Sequence, residues 1–423
     1  MSDSADTPMD VEALHLFDTQ VQACPYPAYK RLRDESPVHK CPASGMYLVT
    51  RYDDVRRVLT DPETFSSRTQ GLRGGPESEA RANAVTELFK SEGWVPAATL
   101  AGRDDPEHKQ MRSIFNQAFR PRVVQELDPE VRDLAYQLID DFLPDGHCDF
   151  VRQFAIPLPL QIIGTQMGAN PADIWKIKSW TDAFFHRISV MLPKEQELDT
   201  VRKEIEAQHY FQPIFEKLRK NPNGTLLSEL VNTVIEEWGR PLTDNELHAE
   251  MMADTFVGGS ETTTNALSAG VKLLIENPDV WGRLKDEPDK VKVFIEEVLR
   301  LESPVQSLMR ITTRDVELSG GVIPKGSLVN VRYAAANRDD RKFDNPDAID
   351  LDRKSPGAHM AFGSGVHHCL GAPLARRELI WSFTALLEKI DEMWFSPEKN
   401  DFSYHPHYLL RSLKRLEIEF RPA

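Results

Sequence analysis

Cysteine is scarce in this sequence, and no cysteine pair has the spacing of a metal or redox motif. The 423 residues include 4 Cys, and no two of them are separated by only two residues. This argues against a disulfide framework, a structural zinc cluster built on CxxC pairs and a dithiol redox site.

Long apolar runs and targeting signals are also missing. No stretch approaches the roughly 18 apolar residues of a membrane span, and the acidic start MSDSADTPMDVEALHLFDTQ lacks the basic and apolar regions of a secretion signal. A cytoplasmic protein without a membrane anchor is expected. The net charge of −15, from 51 basic and 66 acidic residues, disfavours nucleic acid as a partner, although a local basic patch remains compatible with it.

The composition is that of a globular protein with mainly helical periodicity. Length alone favours two domains, but no linker, repeat or low-complexity tract divides the chain, so one domain over residues 1–423 is expected. Residues 131–142 carry the apolar stripe of an amphipathic helix. Short β patterns occur at Met46–Thr50 and Val316–Val331. Residues 68–101 are rich in Gly, Pro and charge, which predicts a mostly irregular, functional or mobile segment.

The longest predicted helix spans Thr243–Asn277. A capping box at Thr243–Glu246 begins it, Pro278 ends it, and its roughly 34 residues would extend about 50 Å. Its middle contains Gly258 and Gly259, which cost about 1 kcal/mol each relative to alanine. Two interpretations stay open: small residues at a helix crossing, or a backbone that a flat ligand can approach.

A glycine-rich loop surrounds one cysteine in the segment FGSGVHHCLGAPLAR, residues 362–376. An apolar helix is predicted to begin at about Leu370, and a helix N-terminus favours the thiolate form of Cys369. The alternatives are a buried apolar cysteine and a zinc site that uses His367, His368 and Cys369, for which the sequence offers no completing pair.

The first ten residues of that segment match the pattern F-G-x-G-x-H-x-C-x-G without a gap, and the chain thereby resembles the cytochrome P450 family of haem-thiolate monooxygenases, of the bacterial soluble type. The resemblance implies a mainly α fold with small β-sheets. A triangular α-rich body would adjoin a smaller β-rich region, with haem b between the long distal helix and the cysteine loop. Cys369 would be the axial ligand of the haem iron, with Phe362 packed near the sulfur, His367 at a propionate, and Gly258 and Gly363 at the cofactor.

Other motifs occur in the order that this family requires. Glu297 and Arg300 form an E-x-x-R on one helix face, which Arg353 would complete as a structural support of the cysteine loop. His108 and Arg112 match an H-x-x-x-R, and Arg310 matches a further propionate-binding arginine. Cationic groups suit paired carboxylates because their hydrogen bonds are charge-assisted.

Glu261 and Thr262 resemble the acid–alcohol pair of the family's oxygen-binding groove. The implied reaction inserts one atom of O₂ into a C–H bond of a lipophilic small molecule, by hydroxylation or oxidative dealkylation. Thr262 would hold a water or the oxygen ligand, and Glu261 would relay protons from solvent. Two alternatives remain, a peroxygenase driven by peroxide and a non-catalytic haem sensor or carrier; the intact pair disfavours both.

No fused reductase is recognised, so electrons are expected from NAD(P)H through a separate ferredoxin and ferredoxin reductase. A basic docking patch is predicted on the cysteine side; the alternative is that some of its charges are solvated or bind propionates. Its residues would be Lys109, Arg112, Arg120, Arg122, Arg376 and Arg377. The predicted substrate contacts are Leu100, Val257, Ser260, Val305, Leu308 and Leu409, with Leu72, Val95, Phe256, Ser307 and Tyr408 in the same regions.

Overall fold

Helices account for most of the computed structural model, which describes residues 10–69, 76–189 and 193–423. The α-helices of these ranges are α1 (Thr19–Ala23), α2 (Tyr26–Glu35), α3 (Tyr52–Thr60), α4 (Pro76–Glu92), α5 (Glu107–Ala118), α6 (Pro121–Glu126), α7 (Asp128–Phe142), α8 (Pro157–Gln166), α9 (Ile174–Ser189), α10 (Lys194–Lys220), α11 (Leu226–Asn232), α12 (Asp244–Glu250), α13 (Thr262–Glu276), α14 (Pro278–Asp286), α15 (Val291–Glu302), α16 (Tyr333–Ala336) and α17 (Ala372–Lys389).

The strands are short and form small sheets beside the helices. They are β1 (Val38–Lys40), β2 (Tyr47–Val49), β3 (Phe65–Ser66), β4 (His147–Asp149), β5 (Leu308–Thr312), β6 (Val316–Leu318), β7 (Gly321–Ile323), β8 (Leu328–Val331), β9 (Ile390–Phe395) and β10 (Glu417–Pro422). The largest sheet has the order β1-β2-β8-β5-β3, a second has the order β4-β10-β9, and β6 pairs with β7. Only the β2–β8 pairing within these sheets is parallel, with Tyr47 opposite Val329.

The predicted distal helix is continuous but irregular in its middle. It begins with the predicted capping box, in which the Thr243 hydroxyl accepts the Glu246 N–H and the Glu246 carboxylate accepts the Thr243 N–H. Between α12 and α13 the residues Met251–Glu261 form a π-helical segment. Insertions of this kind concentrate at functional sites. We call α12, this segment and α13 together the distal helix.

The two adjacent glycines of the distal helix have different surroundings. A Cβ on Gly259 would contact the Ile163 side chain of α8 at 3.4 Å, so Gly259 permits the helix crossing. A Cβ on Gly258 would meet nothing within 4 Å, and this residue is exposed. The packing interpretation therefore holds for Gly259, while Gly258 leaves the backbone open to a ligand.

Two large apolar clusters support the helices around this crossing. One joins α7, α13, α15 and α17, where the Phe294 and Phe383 rings meet edge to face at 5.1 Å. The other joins α5, α8, α10, α11 and the distal helix, and includes Phe211 and Phe256. Full burial of one such aromatic side chain contributes about 2–3 kcal/mol, so both clusters hold the distal helix firmly in place.

Several predicted elements are confirmed, and two need correction. The amphipathic helix at 131–142 lies within α7, and the β patterns correspond to β2 and to β6–β8. The prediction that residues 68–101 are mostly irregular is wrong, because α4 occupies 17 of them; Leu72 lies outside the described residues. The helix after Cys369 begins at Ala372, two residues later than predicted.

Candidate active site

Glycine occupies two positions of the cysteine loop at which the backbone has a conformation that other residues rarely adopt. Gly363 and Gly365 have φ angles of 69° and 70°, in the left-handed region. A Cβ on Gly365 would also collide with the carbonyl oxygen of Leu59 in α3. These two glycines fold the chain back, so that the Cys369 N–H donates to the Phe362 carbonyl at 2.9 Å.

The Cys369 sulfur lies at the N-terminal end of α17, where the N–H groups of Gly371 and Ala372 donate to it. The residue is accessible, but the site is deep enough that burial raises the pKa of the thiol, against the lowering effect of these N–H groups and of Arg112 and Arg376. The N–H groups at the helix terminus lower the pKa of the thiol, in the direction that the sequence predicted, but burial outweighs them in the protein alone. A metal cation at the sulfur would supply the missing stabilisation.

Four cationic or potentially cationic side chains converge beside this loop. The rings of His108 and His367 lie 4.0 Å apart, and Arg112 and Arg310 both act on His367 electrostatically. Burial and these neighbours lower the pKa of His367 to about 3, and burial lowers the pKa of His108. Both imidazoles are therefore neutral near pH 7.

Little in the protein offsets this concentration of positive charge. Asp105 lies 3.4 Å from His108 Nδ1, and among the described residues it is the only carboxylate within ion-pair distance of the four side chains. His108 Nε2 is buried without a hydrogen-bond partner, and Arg112 donates to the His368 carbonyl at 2.5 Å. A group that brings two negative charges and several acceptor oxygens fits here, as the two propionates of haem would.

The E-x-x-R residues form a fully buried ion pair behind the loop. Arg300 Nε lies 2.8 Å from Glu297 Oε1, and Arg353 Nε lies 2.7 Å from the same oxygen. Arg300 also donates to the carbonyls of Asn337, Pro346 and Ala348. Because a buried ion pair is stable only when its remaining groups are hydrogen-bonded, this network fixes the chain that leads into the cysteine loop.

A second carboxylate-centred network, which the sequence did not predict, contacts the loop directly. Glu296 accepts from Arg376 at 2.6 and 2.9 Å and lies 3.0 Å from His359 Nε2. The Arg376 guanidinium stacks on the Phe362 ring at 4.6 Å. The only sequence signal was the position of Glu296 beside Glu297, and adjacent residues on a helix do not face the same neighbours.

Thr262 and Glu261 stand where the π-helical segment passes into α13. The Thr262 hydroxyl donates to the Gly258 carbonyl at 2.8 Å, which leaves its lone pairs available to a ligand. Glu261 is buried and turned towards α9, where Lys178 Nζ lies 3.0 Å and Thr181 Oγ1 3.4 Å from its Oε1. Lys178 had no signal in the sequence, because the contact joins residues 83 positions apart in the chain.

Comparison with known proteins decides the family. The family model described as Cytochrome P450 matches residues 172–393. The monooxygenase PikC of Streptomyces venezuelae is 34% identical over 405 residues, which cover 94% of this chain and 92% of PikC. The vitamin D(3) 25-hydroxylase of Pseudonocardia autotrophica is 31% identical over 98% of both chains. This chain belongs to the cytochrome P450 family.

Solved structures of P450s share the whole fold. CYP109Q5 from Chondromyces apiculatus matches with a TM-score of 0.83 and 28% identity, over 98% of this chain and 99% of that one. CYP109E1 from Bacillus megaterium in complex with corticosterone matches with a TM-score of 0.80 and 29% identity, over 95% and 99%. The predicted mainly α fold with small β-sheets is confirmed, and the protein is a P450 monooxygenase.

The structure also bears on the zinc interpretation of the loop and on membrane-spanning helices. No group of three or more His, Cys, Asp or Glu side chains in the described ranges is arranged to hold a metal ion, which disfavours the zinc interpretation of the loop. Helices in the same ranges are too short or too polar to span a bilayer.

The predicted docking patch is only partly available. Three of its arginines bind carboxylates: Arg122 to Glu126, Arg377 to Asp128 and Arg376 to Glu296, at 2.9, 3.3 and 2.6 Å. These carboxylates offset part of the positive charge of the predicted patch. Lys109, Arg112 and Arg120 form no ion pair with a described residue.

The predicted substrate residues of the P450 lie on the distal helix and on the segments that precede α5, follow α15 and precede β10. Val257 and Ser260 are buried on the π-helical segment, where the Ser260 hydroxyl donates to the Phe256 carbonyl. Leu100 is buried in a short 3₁₀ turn, and its N–H donates to Glu250. Val305 pairs with Leu410, the Leu409 carbonyl accepts from Gln306, and Leu308 is exposed at the start of β5. None of the six lines the largest described cavity, which Val95 does line.

Proposed function

We propose that this P450 inserts one atom of O₂ into a C–H bond of a lipophilic small molecule, by hydroxylation or oxidative dealkylation. The proposal rests on the family and on relatives whose names describe such reactions, among them the vitamin D(3) 25-hydroxylase. Solved relatives hold corticosterone and testosterone. Each turnover consumes two electrons and two protons. The residues that deliver them therefore determine how much product forms per NAD(P)H.

Haem b, the proposed cofactor, supplies dioxygen activation when bound. Cys369 would hold its iron, because a thiolate in a glycine-rich loop at a helix N-terminus is a suitable ligand for haem iron. Phe362 would pack near the sulfur under the Arg376 guanidinium. Gly258 and Gly363, where a Cβ would have open space or only distant neighbours, would allow close approach of the macrocycle.

The haem propionates would be held by His108, Arg112, Arg310 and His367. The guanidinium charges of Arg112 and Arg310 lie close to His367, and the buried Nε2 of His108 has no partner. Among the described residues Asp105, beside His108, is the only carboxylate within ion-pair distance. Such a cluster is costly unless an anion completes it. The buried ion-pair network would act indirectly, because it fixes the path of the cysteine loop. Its members are Glu297, Arg300 and Arg353.

Proton delivery would use Thr262 and Glu261. The Thr262 hydroxyl, oriented by its bond to the Gly258 carbonyl, would accept a hydrogen bond from a water and hold it in the groove. Glu261 would carry protons to that water from solvent. Since Glu261 is bound to Lys178, its carboxylate must leave this ion pair before it can reach the groove.

Electrons would come from NAD(P)H through a ferredoxin reductase and a separate ferredoxin. Lys109, Arg112 and Arg120, together with the exposed Val366 of the cysteine loop, offer an acidic carrier a small basic and apolar surface. Weak encounters of this kind bury little area and depend on charge steering. Their rate should therefore fall as salt increases.

The thiolate ligand is the single feature on which the function depends, and carbon monoxide tests it. The purified, reduced, CO-treated protein should show the red-shifted Soret band of a sulfur-ligated haem. Cys369→Ser should abolish this band, whereas Cys24→Ser, a change at another exposed cysteine, should leave it intact. A wild-type protein without the band would contradict the proposal.

The reaction itself is tested with ¹⁸O₂ and surrogate ferredoxin and reductase. The proposal requires one labelled oxygen atom per product molecule and strict dependence on the reductase. Turnover that needs only hydrogen peroxide would favour a peroxygenase instead. A haem protein that forms no product with any electron source would favour a sensor or carrier.

A further inference from the structure

A cavity of about 350 Å³ lies beside the N-terminal half of the distal helix. It opens between α4, α9, α10 and the segment around residues 95–99. Its lining is polar and apolar in nearly equal measure, and the apolar part includes Phe89, Val95, Phe184, Phe211, Met251 and Met252. A volume of this size accommodates a small lipophilic molecule.

An arginine–glutamate pair forms part of this wall. Arg187 of α9 donates from Nε and Nη2 to Glu204 of α10, at 2.6 and 2.8 Å. The Glu204 side chain is 5% exposed, whereas the Arg187 side chain remains 21% exposed. Within the described part of the chain no residue hydrogen-bonds to Arg187 Nη1, so this nitrogen retains N–H groups for a ligand of the cavity that Arg187 lines.

Other polar groups of the lining already have partners. Gln208 donates to the Trp94 carbonyl and accepts the Trp94 N–H. His248 Nε2 lies 2.9 Å from Gln212 Oε1, and the Thr86 hydroxyl donates to the Ala82 carbonyl. Within the described part of the lining, Arg187 therefore has the donor best placed for a ligand.

Arg187 lies farther along α9 than the contact at the oxygen groove. Lys178 and Arg187 both lie on α9, and Lys178 contacts Glu261 at the groove. Arg187 follows Lys178 by nine residues, a rise of about 13 Å along the helix axis. Arg187 lines the cavity together with Met251 and Met252, and Thr262 is not part of that lining.

The charge balance decides which ligand group Arg187 accepts. Glu204 already neutralises the guanidinium, so a ligand carboxylate would add an uncompensated negative charge to a buried site. A neutral carbonyl or ether oxygen adds no charge and still accepts the Nη1 hydrogen bond. A ligand that places only a hydrocarbon chain beside Arg187 would leave the Nη1 donor without an acceptor.

We propose that Arg187 anchors the substrate of this P450 through a neutral oxygen acceptor, on an elongated apolar molecule that is oxidised at a carbon remote from that oxygen. This inference rests on the proposed monooxygenase function and adds the substrate class to it. Long ketones, esters, lactones and keto-substituted ring systems belong to that class, and fatty-acid anions do not.

Spectral titration of the holoenzyme with three probes of equal chain length tests the inference. 2-Dodecanone should induce the high-spin shift with a Kd about five- to tenfold lower than dodecane or dodecanoate, which is what one hydrogen bond contributes. Tightest binding of dodecanoate would overturn the proposal. Product analysis should find hydroxylation towards the end of the ketone chain that is remote from the carbonyl.

Variants separate the anchor from the fold. Arg187→Met combined with Glu204→Leu replaces both charges with apolar groups, a change that folded proteins tolerate better than the loss of one partner. The ketone preference should vanish in this double variant. It should persist in Arg202→Met, which alters an exposed arginine of α10. A preference that survives the double variant would overturn the proposal.

The CO spectrum of each preparation distinguishes this inference from the proposed function. A protein with the sulfur-ligated band but no ketone preference would contradict the anchor alone. A protein without that band would contradict the proposed function and, with it, the anchor.

Discussion

Lys178 Nζ lies 3.0 Å from Glu261 Oε1, and this contact ties α9 to the distal helix at the point where its π-helical segment ends. Both side chains are largely buried, at 13% and 9% exposure. Burial alone would lower the pKa of Lys178, but the charges of Glu261 and Asp182 outweigh it and raise that pKa. Lys178 therefore stays protonated, and its contact with Glu261 restrains the side chain proposed for proton delivery.

A double-mutant cycle should measure this restraint. Lys178→Met should lower the free energy of unfolding by about 3 kcal/mol, because it leaves the buried Glu261 carboxylate without its cation. Glu261→Gln should lower it less, because Asp182 still pairs with Lys178. The double variant should recover about 1–3 kcal/mol of the summed loss. Denaturant unfolding checks this, and strictly additive losses would show that the two side chains do not interact in solution.

Replacement of Thr262 should uncouple NAD(P)H consumption from product formation. Thr262→Ala removes the hydroxyl that the Gly258 carbonyl orients, so product formed per NAD(P)H should fall by about tenfold or more while peroxide is released. Thr262→Ser keeps the hydroxyl and should retain coupling. Coupling equal to wild type in the alanine variant would remove Thr262 from the proton relay.

The cationic cluster should control haem retention. Arg310 is buried on β5 and acts electrostatically on His367, so Arg310→Met should speed haem transfer to apomyoglobin by about tenfold, the effect of one charge-assisted hydrogen bond. Arg314→Met, which changes an arginine with 65% of its side chain exposed, is the matched control. Equal transfer rates in the two variants would argue against a propionate contact.

The sequence predicted those features that depend on neighbouring residues. The ten-residue cysteine motif, the capping box at Thr243 and the apolar stripe of α7 each specify local geometry through short spacings. The E-x-x-R pair also follows from one helix turn. Such patterns carry their structural meaning within the segment itself.

Features that depend on tertiary contacts were missed. Lys178 and Glu261 are distant in sequence, as are Glu296 and Arg376, and nothing in either segment indicates its partner. Helix α4 was predicted to be irregular, although its apolar residues Val85, Leu88 and Phe89 pack on α10 in the structure. Local composition cannot reveal a packing surface that another element provides.

The depth of the site around Cys369 was missed for a related reason. The helix terminus, whose N–H groups do lower the pKa of the thiol, could be predicted from the sequence, but the burial could not. Burial raises this pKa more than the two N–H donors and the charges of Arg112 and Arg376 lower it. Electrostatic predictions from local motifs therefore omit the largest contribution when the group is buried.

The ion pairs of Glu296 make a pH-dependent contribution to the free energy of unfolding. Burial would raise the pKa of its carboxyl, but Arg376 and His359 outweigh burial and lower it from 4.5 to about 2. A depressed pKa stabilises the fold above the unfolded-state value, and this contribution is lost as pH falls from 4.5 towards 2. At pH 7 it amounts to about 3 kcal/mol.

Glu296→Gln should therefore be clearly less stable than wild type at pH 7, and the difference in unfolding free energy should shrink by about 1 kcal/mol at about pH 3.5. Glu287→Gln changes an exposed glutamate that is paired only with Arg283 at the surface, so it should match wild type throughout. Denaturant unfolding at both pH values decides the matter. A gap between Glu296→Gln and wild type that stays constant with pH would mean that the carboxylate charge is not what holds Arg376 over the Phe362 ring.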